Sequence, residues 1–189
     1  MRAQLAVSVL ALAISTAASA TAITFNNATG SYSSGTGITA NVTASGGSLY
    51  YNSASILSGS GIGVKGALEL LSGPLTNGES LTVTFNQAVN LNSISFAAWE
   101  GGIDQVTMSY TSGSQTFSNT FNTNMIDTFS TGGILLNSFS ITPSGSLALT
   151  TSTYLNSLDV TPAVPVPAAA WLFGSGLLGL AGFGRKRNS

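Results

Sequence analysis

Three observations predict an all-β chain. The expected fold is an antiparallel β-sandwich, jelly-roll-like, flanked by an N-terminal signal-peptide helix and a C-terminal transmembrane helix. Several short stretches alternate apolar and polar residues with period two, the pattern of a half-buried strand. Clusters of Gly, Pro and Asn punctuate those stretches at the spacing of turns. Outside the two ends no stretch has helical periodicity, so helices do not alternate with the strands and the sandwich class follows.

The chain opens with Met1-Arg2, a minimal positive region, followed by an apolar run from Leu5 to Ile14 and the small-x-small triplet Ala18-Ser19-Ala20 before Thr21. That order is the signature of a secretory signal peptide over residues 1–20, with cleavage by signal peptidase between Ala20 and Thr21. The apolar run is short for a membrane span, which sets the bland alternative, an uncleaved anchor, second. Residues 21–163 are then expected to form the β-sandwich domain and to work outside the cytoplasm.

Within 21–163 the first element is Ile38-Thr39-Ala40-Asn41-Val42, preceded by the turn signal Gly35-Thr36-Gly37 and followed by Gly46-Gly47. The Gly-rich segment Gly59 to Gly66 comes next. It superficially resembles a phosphate cradle but lacks the Gly-Lys-Ser/Thr ending and a following helix, so a tight turn between strands is the preferred reading. After Gly73-Pro74 and Asn77-Gly78, Ser80 to Phe85 alternates strictly, Ser93 to Trp99 is an apolar-rich run, and Gln105 to Tyr110 alternates strictly again. Thr116 to Phe121 and Asn137 to Thr142 follow, separated by the turn signals Ser112-Gly113 and Gly132-Gly133. The last strand, about Tyr154 to Val160, runs through Thr161-Pro162-Ala163 into the tail.

Composition narrows the chemistry. Of the five basic residues only Lys65 lies in 21–163, against all six acids, which gives that region a net charge of −5. Such a surface repels phosphate backbones, and nucleic acid is not an expected partner. Charged residues make up 6% of the chain, against roughly 25% in ordinary soluble domains, so Ser, Thr, Asn and Gly must do the solvating. Cysteine is absent, and stability therefore rests on burial without disulfides.

The same absences remove most catalytic arrangements. With no histidine and no cysteine, Ser-His-Asp and Cys-His nucleophiles and the usual zinc sites are excluded. Glu100 and Asp104 flank Gly101-Gly102 beside Trp99, a pairing that suits calcium binding or glycoside hydrolysis. A solvated hairpin with Trp99 in the core is preferred over calcium, and calcium over catalysis. Lys65 is read as a lone surface charge. No catalytic residue and no cofactor is expected.

The C-terminal segment, residues 164–189, is the most specific stretch. It consists of the proline motif Val164-Pro165-Val166-Pro167-Ala168, an uncharged run through Gly184, and Arg185, Lys186 and Arg187. As a helix rising about 1.5 Å per residue, the run from Pro167 to Gly184 falls a little short of a roughly 30 Å hydrocarbon layer, and it spans if the cations snorkel and the bilayer thins. Trp171 takes the interfacial position at one end, while the basic cluster holds the other end in the cytoplasm. Gly174, Gly176, Gly179 and Gly182 are tolerated in lipid and permit close approach of another helix.

Val-Pro-Val-Pro-Ala-Ala-Ala-Trp-Leu-Phe-Gly-Ser-Gly-Leu-Leu-Gly-Leu-Ala-Gly closed by Arg-Lys-Arg strongly resembles the PEP-CTERM sorting signal, in its VPLPA variant, found on surface proteins of Gram-negative bacteria. The resemblance covers Val164 to Arg187. It implies recognition by an exosortase, an integral membrane cysteine transpeptidase that cuts near the proline motif. It also implies an inner-membrane-anchored precursor that passes to the cell surface or extracellular polysaccharide. Val166 stands where Glu or Leu is usual, which leaves the exosortase subtype open. Glu79 to Phe85 followed by Val89 to Phe96 resembles, more weakly, the β-sandwich body common in PEP-CTERM proteins, itself similar to carbohydrate-binding jelly rolls.

Two roles for the mature domain follow. One is a non-catalytic surface or matrix protein associated with exopolysaccharide or biofilm, its hydroxyl and amide side chains hydrogen-bonding to sugars or to neighbouring copies. The other is a carbohydrate-binding module with a defined site, in which Trp99, Tyr50, Tyr51 or Tyr110 stacks on sugar rings. An exposed platform of those aromatics favours the second role, and their burial favours the first.

Overall fold

The computed structural model describes residues 18–53, 60–66, 78–98, 104–112, 114–123, 126–144, 153–163 and 176. All the strands lie in the compact unit Ser19–Ala163. Among the described residues no helix is long and apolar enough to cross a membrane. The expected signal-peptide run and nearly all of the expected membrane segment lie outside the described residues.

The strands are β1 (Thr21–Thr24), β2 (Ser31–Ser33), β3 (Thr39–Ser45), β4 (Ser48–Asn52), β5 (Gly61–Lys65), β6 (Ser80–Ala98), β7 (Asp104–Ser112), β8 (Gln115–Thr123), β9 (Ile126–Pro143) and β10 (Thr153–Pro162). Every pairing between them is antiparallel, as predicted. The spine order is β4-β5-β10-β6-β9-β7-β8, with β1 on β10 and β3 on β6 as branches and β2 on β3. The branch at β6 explains the architecture. β9 lies along one side of β6 throughout. On its other side β6 pairs first with β3, over Ser80–Phe85, and then with β10, over Val89–Ala98. A strand that changes partner midway carries the sheet from one layer into another, which is consistent with a β-sandwich.

Two irregularities make that change. Phe85 to Ala88 of β6 stand opposite the single residue Asn137 of β9, because pairing jumps from Thr84↔Ser138 to Val89↔Leu136. Further on, Asn92 is an extra residue against β10, where Asp159 pairs with Ser93 and Val160 with Leu91. A bulge moves the strand's alternation on by one residue. Accordingly the large buried apolar residues of β6 are Leu81, Val83, Phe85, Val89 and Leu91 before Asn92, and Ile94 and Phe96 after it, where Ser95 and Ala97 on the opposite face are buried as well. Without the extra residue, Ile94 and Phe96 would leave the side of the strand that Leu81 to Leu91 share.

The core is continuous. Ile23, Ile38, Val42, Ile62, Leu81, Ile94, Met108, Ile141 and Leu158 belong to one buried cluster. Phe96 and Phe121 of that cluster form an aromatic trio with the half-buried Phe129 packed against it, with centroids 5.9, 6.1 and 4.9 Å apart. Phe25 meets Tyr32 edge-on at 4.7 Å, and the Tyr32 hydroxyl donates to the Asn27 carbonyl at 2.6 Å.

Three sequence expectations are corrected. Ser80–Phe85 and the described part of the second run, Ser93–Ala98, are not separate strands but parts of the continuous β6, since Val89 and Leu91 between them are buried and paired. Gly132-Gly133 is not a turn but a kink within β9, where φ angles of 72° and 75° let the strand step around Asn92. The Gly-rich segment is not a tight turn either, because Gly61–Lys65 is β5, buried except at Lys65. A Cβ on Gly61 would lie 2.7 Å from the Leu155 carbonyl oxygen and 2.9 Å from Tyr154 Cβ, so the missing side chain admits the neighbouring backbone.

Candidate functional site

The residues singled out at the ends fall largely outside the described set. Ala18 and Ala20 are exposed and precede β1, which begins at Thr21 paired with Val160. Val164, Pro165, Val166, Pro167, Ala168, Trp171, Gly174, Arg185, Lys186 and Arg187 lie outside the described residues, and Gly176 alone of that segment is described, exposed. Trp99 and Glu100 also lie outside, and Asp104 begins β7. Among the described residues no group of three or more carboxylates could hold a metal ion. Lys65, exposed at the end of β5, places its ammonium 5.9 Å from the centroid of the Tyr50 ring.

The three described aromatics do not assemble into one platform. Tyr50 and Tyr51 sit on β4 and Tyr110 on β7, well apart in the strand order. All three are half-buried. Tyr110 stacks on its cross-strand partner Phe117 at 5.4 Å and 19°, and Phe117 is 41% exposed.

A different surface is assembled by the register. In β3, the first part of β6, the last part of β9 and β7, the apolar residues of each alternating run face the core, and the unbroken β7–β8 register carries the same alternation onto β8. Their polar neighbours therefore share the outer face. Thr43 pairs with Thr82, Thr82 with Ser140, Ser140 with Ser109 and Ser109 with Ser118, an unbroken row of hydroxyls across five strands. A row to one side runs Asn41, Thr84, Ser138, and one to the other runs Thr142, Thr107, Thr120. None of these side chains is buried and none is charged. The spacing of such an array is roughly 4.8 Å between strands and 6.8 Å along them. Some of the hydroxyls already bond to one another or to backbone, as Thr107 does with Thr120 at 3.0 Å.

Two adjoining clefts open on this surface. One, of about 320 Å³, is lined by Thr82, Ser109, Tyr110, Thr111, Thr116, Ser138, Phe139 and Ser140. Of its two aromatics Phe139 is buried and Tyr110 half-buried. The other, of about 490 Å³, is lined by Ala88, Thr111, Ser112, Leu135, Leu136, Asn137 and Ser138. Thr111 and Ser138 are common to both, and Leu135, 51% exposed, supplies an apolar rim. An uncharged lining of this kind exchanges hydrogen bonds with neutral hydroxylated molecules without the large cost of desolvating a charge.

No family model matches the chain, and no curated protein matches it. Two solved structures match the chain in part. One is GH31 CBM32-2 bound to GalNAc, 14% identical, covering 64% of this chain and 97% of its own, with a TM-score of 0.43. The other is the family 32 CBM from C. perfringens NanJ in complex with galactose, 14% identical, covering 65% and 93%, with a TM-score of 0.37. At that identity and TM-score the likeness carries neither a fold nor a residue role to this chain.

Proposed function

We propose that this chain is an exported, non-catalytic envelope protein. Its jelly-roll-like domain holds neutral polysaccharide on the outer face of β3, β6, β9, β7 and β8, and residues 164–187 serve as an exosortase-recognised sorting signal. The supporting observation for the domain is the hydroxyl row Thr43-Thr82-Ser140-Ser109-Ser118 with two uncharged clefts beside it. Sugar hydroxyls are both donors and acceptors, and a field of Ser and Thr matches them in kind. The proline motif, apolar run and basic end support the sorting role.

Binding of the exported protein to soluble neutral and acidic polysaccharides tests the domain. Thr82→Val and Thr111→Val keep shape and strand propensity while deleting a hydroxyl. Each is expected to weaken binding about 3- to 10-fold, the equivalent of one net hydrogen bond. Unchanged affinity in both variants refutes the face. Intact mass of surface and membrane fractions, from a host with and without its exosortase, tests the sorting. A form from Thr21 to near Val164–Ala168 is expected only when the exosortase is present, and an uncut tail in both strains refutes it.

A further inference from the structure

The geometry points to a second copy of this chain as the partner of β8, paired antiparallel about a two-fold axis through Asn119. Independently of the carbohydrate reading, β8 is an open edge. It closes the strand order, and among the described residues β7 is its one pairing partner. Exposed edges are ordinarily blunted by charge, proline, a bulge or shortness. The strands that branch off or begin the order are short, with four residues in β1, three in β2 and five in β4. β8 has nine residues, Gln-Thr-Phe-Ser-Asn-Thr-Phe-Asn-Thr, with neither charge nor proline. Its register with β7 runs without a break from Asp104↔Thr123 to Ser112↔Gln115. Gln115 through Thr120 are exposed on both faces.

The strand reads nearly the same in both directions from Asn119. Ser118 and Thr120 flank it, then Phe117 and Phe121, then Thr116 and Asn122. Antiparallel pairing about Asn119 therefore sets Phe117 against the second copy's Phe121 on one face and Ser118 against its Thr120 on the other. Aromatic and hydroxyl pairs of this kind stabilise adjacent strands. The same patch meets itself, which makes the contact isologous and closes it at two chains. Although 21–163 carries a net charge of −5, none of its acids lies on β8, so the strand brings no like charges face to face. Pairing would extend the hydroxyl row at Ser118 into the second copy, doubling the face with no new residue type.

The absence of native cysteine makes a cross-linking test clean. Paired Cα atoms stand about 4.5–5.5 Å apart, within disulfide range, whereas a diagonal offset of two residues gives about 7–8 Å. The exported protein carrying Asn119→Cys is expected to form a disulfide-linked dimer on mild oxidation, at the concentration where sedimentation of the unaltered protein shows about a twofold mass. Ser118→Cys alone should not cross-link, but mixed with Thr120→Cys it should give the heterodimer. Asn119→Lys, an exposed substitution that leaves the fold intact, should sediment as monomer. The pairing is overturned if the unaltered protein is monomeric throughout, if Asn119→Lys remains dimeric, if Ser118→Cys and Asn119→Cys cross-link equally, or if open polymers form instead of a closed dimer.

Discussion

Tyr32 shows how one buried polar atom sets a limit on the conditions the fold tolerates. Burial pushes its phenol above the usual value of about 10, more than the hydrogen bond with the Gly30 backbone lowers it. The folded state therefore holds its proton where the unfolded chain has lost it. The stability linked to Tyr32 is fully present below about pH 10 and is lost as pH climbs through the higher folded-state value. Thermal unfolding followed from pH 9 to 11 should show a falling midpoint. Tyr32→Phe should flatten that fall while costing about 0.5–1.5 kcal/mol at neutral pH for the lost bond to Asn27. Gly61 sets a limit of a different kind. Gly61→Ala pushes a methyl against the Leu155 carbonyl and Tyr154 Cβ, and denaturant unfolding should show a loss of about 1–3 kcal/mol typical of overpacking.

At the scale of elements, β6 depends on its irregularities. Deleting Asn92 removes the extra residue that keeps Leu91 and Ile94 both inward, so circular dichroism and protease resistance should report an unfolded chain, while Asn92→Ala keeps the count and should fold. The alternating runs of β6, β7 and β9 were legible in the sequence because period two is visible residue by residue. Their joins were not legible. Asn86 to Asn92 carries the Asn-rich look of a loop, yet Val89 and Leu91 pair and bury, and the Asn86 side chain instead receives the Thr39 amide at 2.9 Å and donates to the Gly37 carbonyl at 3.1 Å. Gly61 and Gly132-Gly133 read as turns because sequence does not distinguish a glycine chosen for a bend from one chosen for a close approach. The residues of the hydroxyl face were visible as the polar half of each alternation. Their union into rows depends on register, which local pattern does not state.

For the whole molecule, the absence of charge from the hydroxyl face separates it from the many surfaces that attract ligands by electrostatics. Polysaccharide affinity should change little from about 0.1 M to 1 M salt, over which the Debye length falls from roughly 10 to 3 Å. Equilibrium titration at the two ionic strengths checks this, and a steep loss of affinity would assign the attraction to ions. The described part of the domain ends on a strand that is paired along both sides. β10 is clasped by β6 along one side and by β1 and β5 on the other, and its last bond joins the Ala163 amide to the Ala88 carbonyl. A pull applied at residue 163 acts along β10, across its ladders, and must slide many bonds at once instead of peeling them singly. If the domain is tethered there while its broad face grips a matrix, the load is shared among the ladders on both sides of β10.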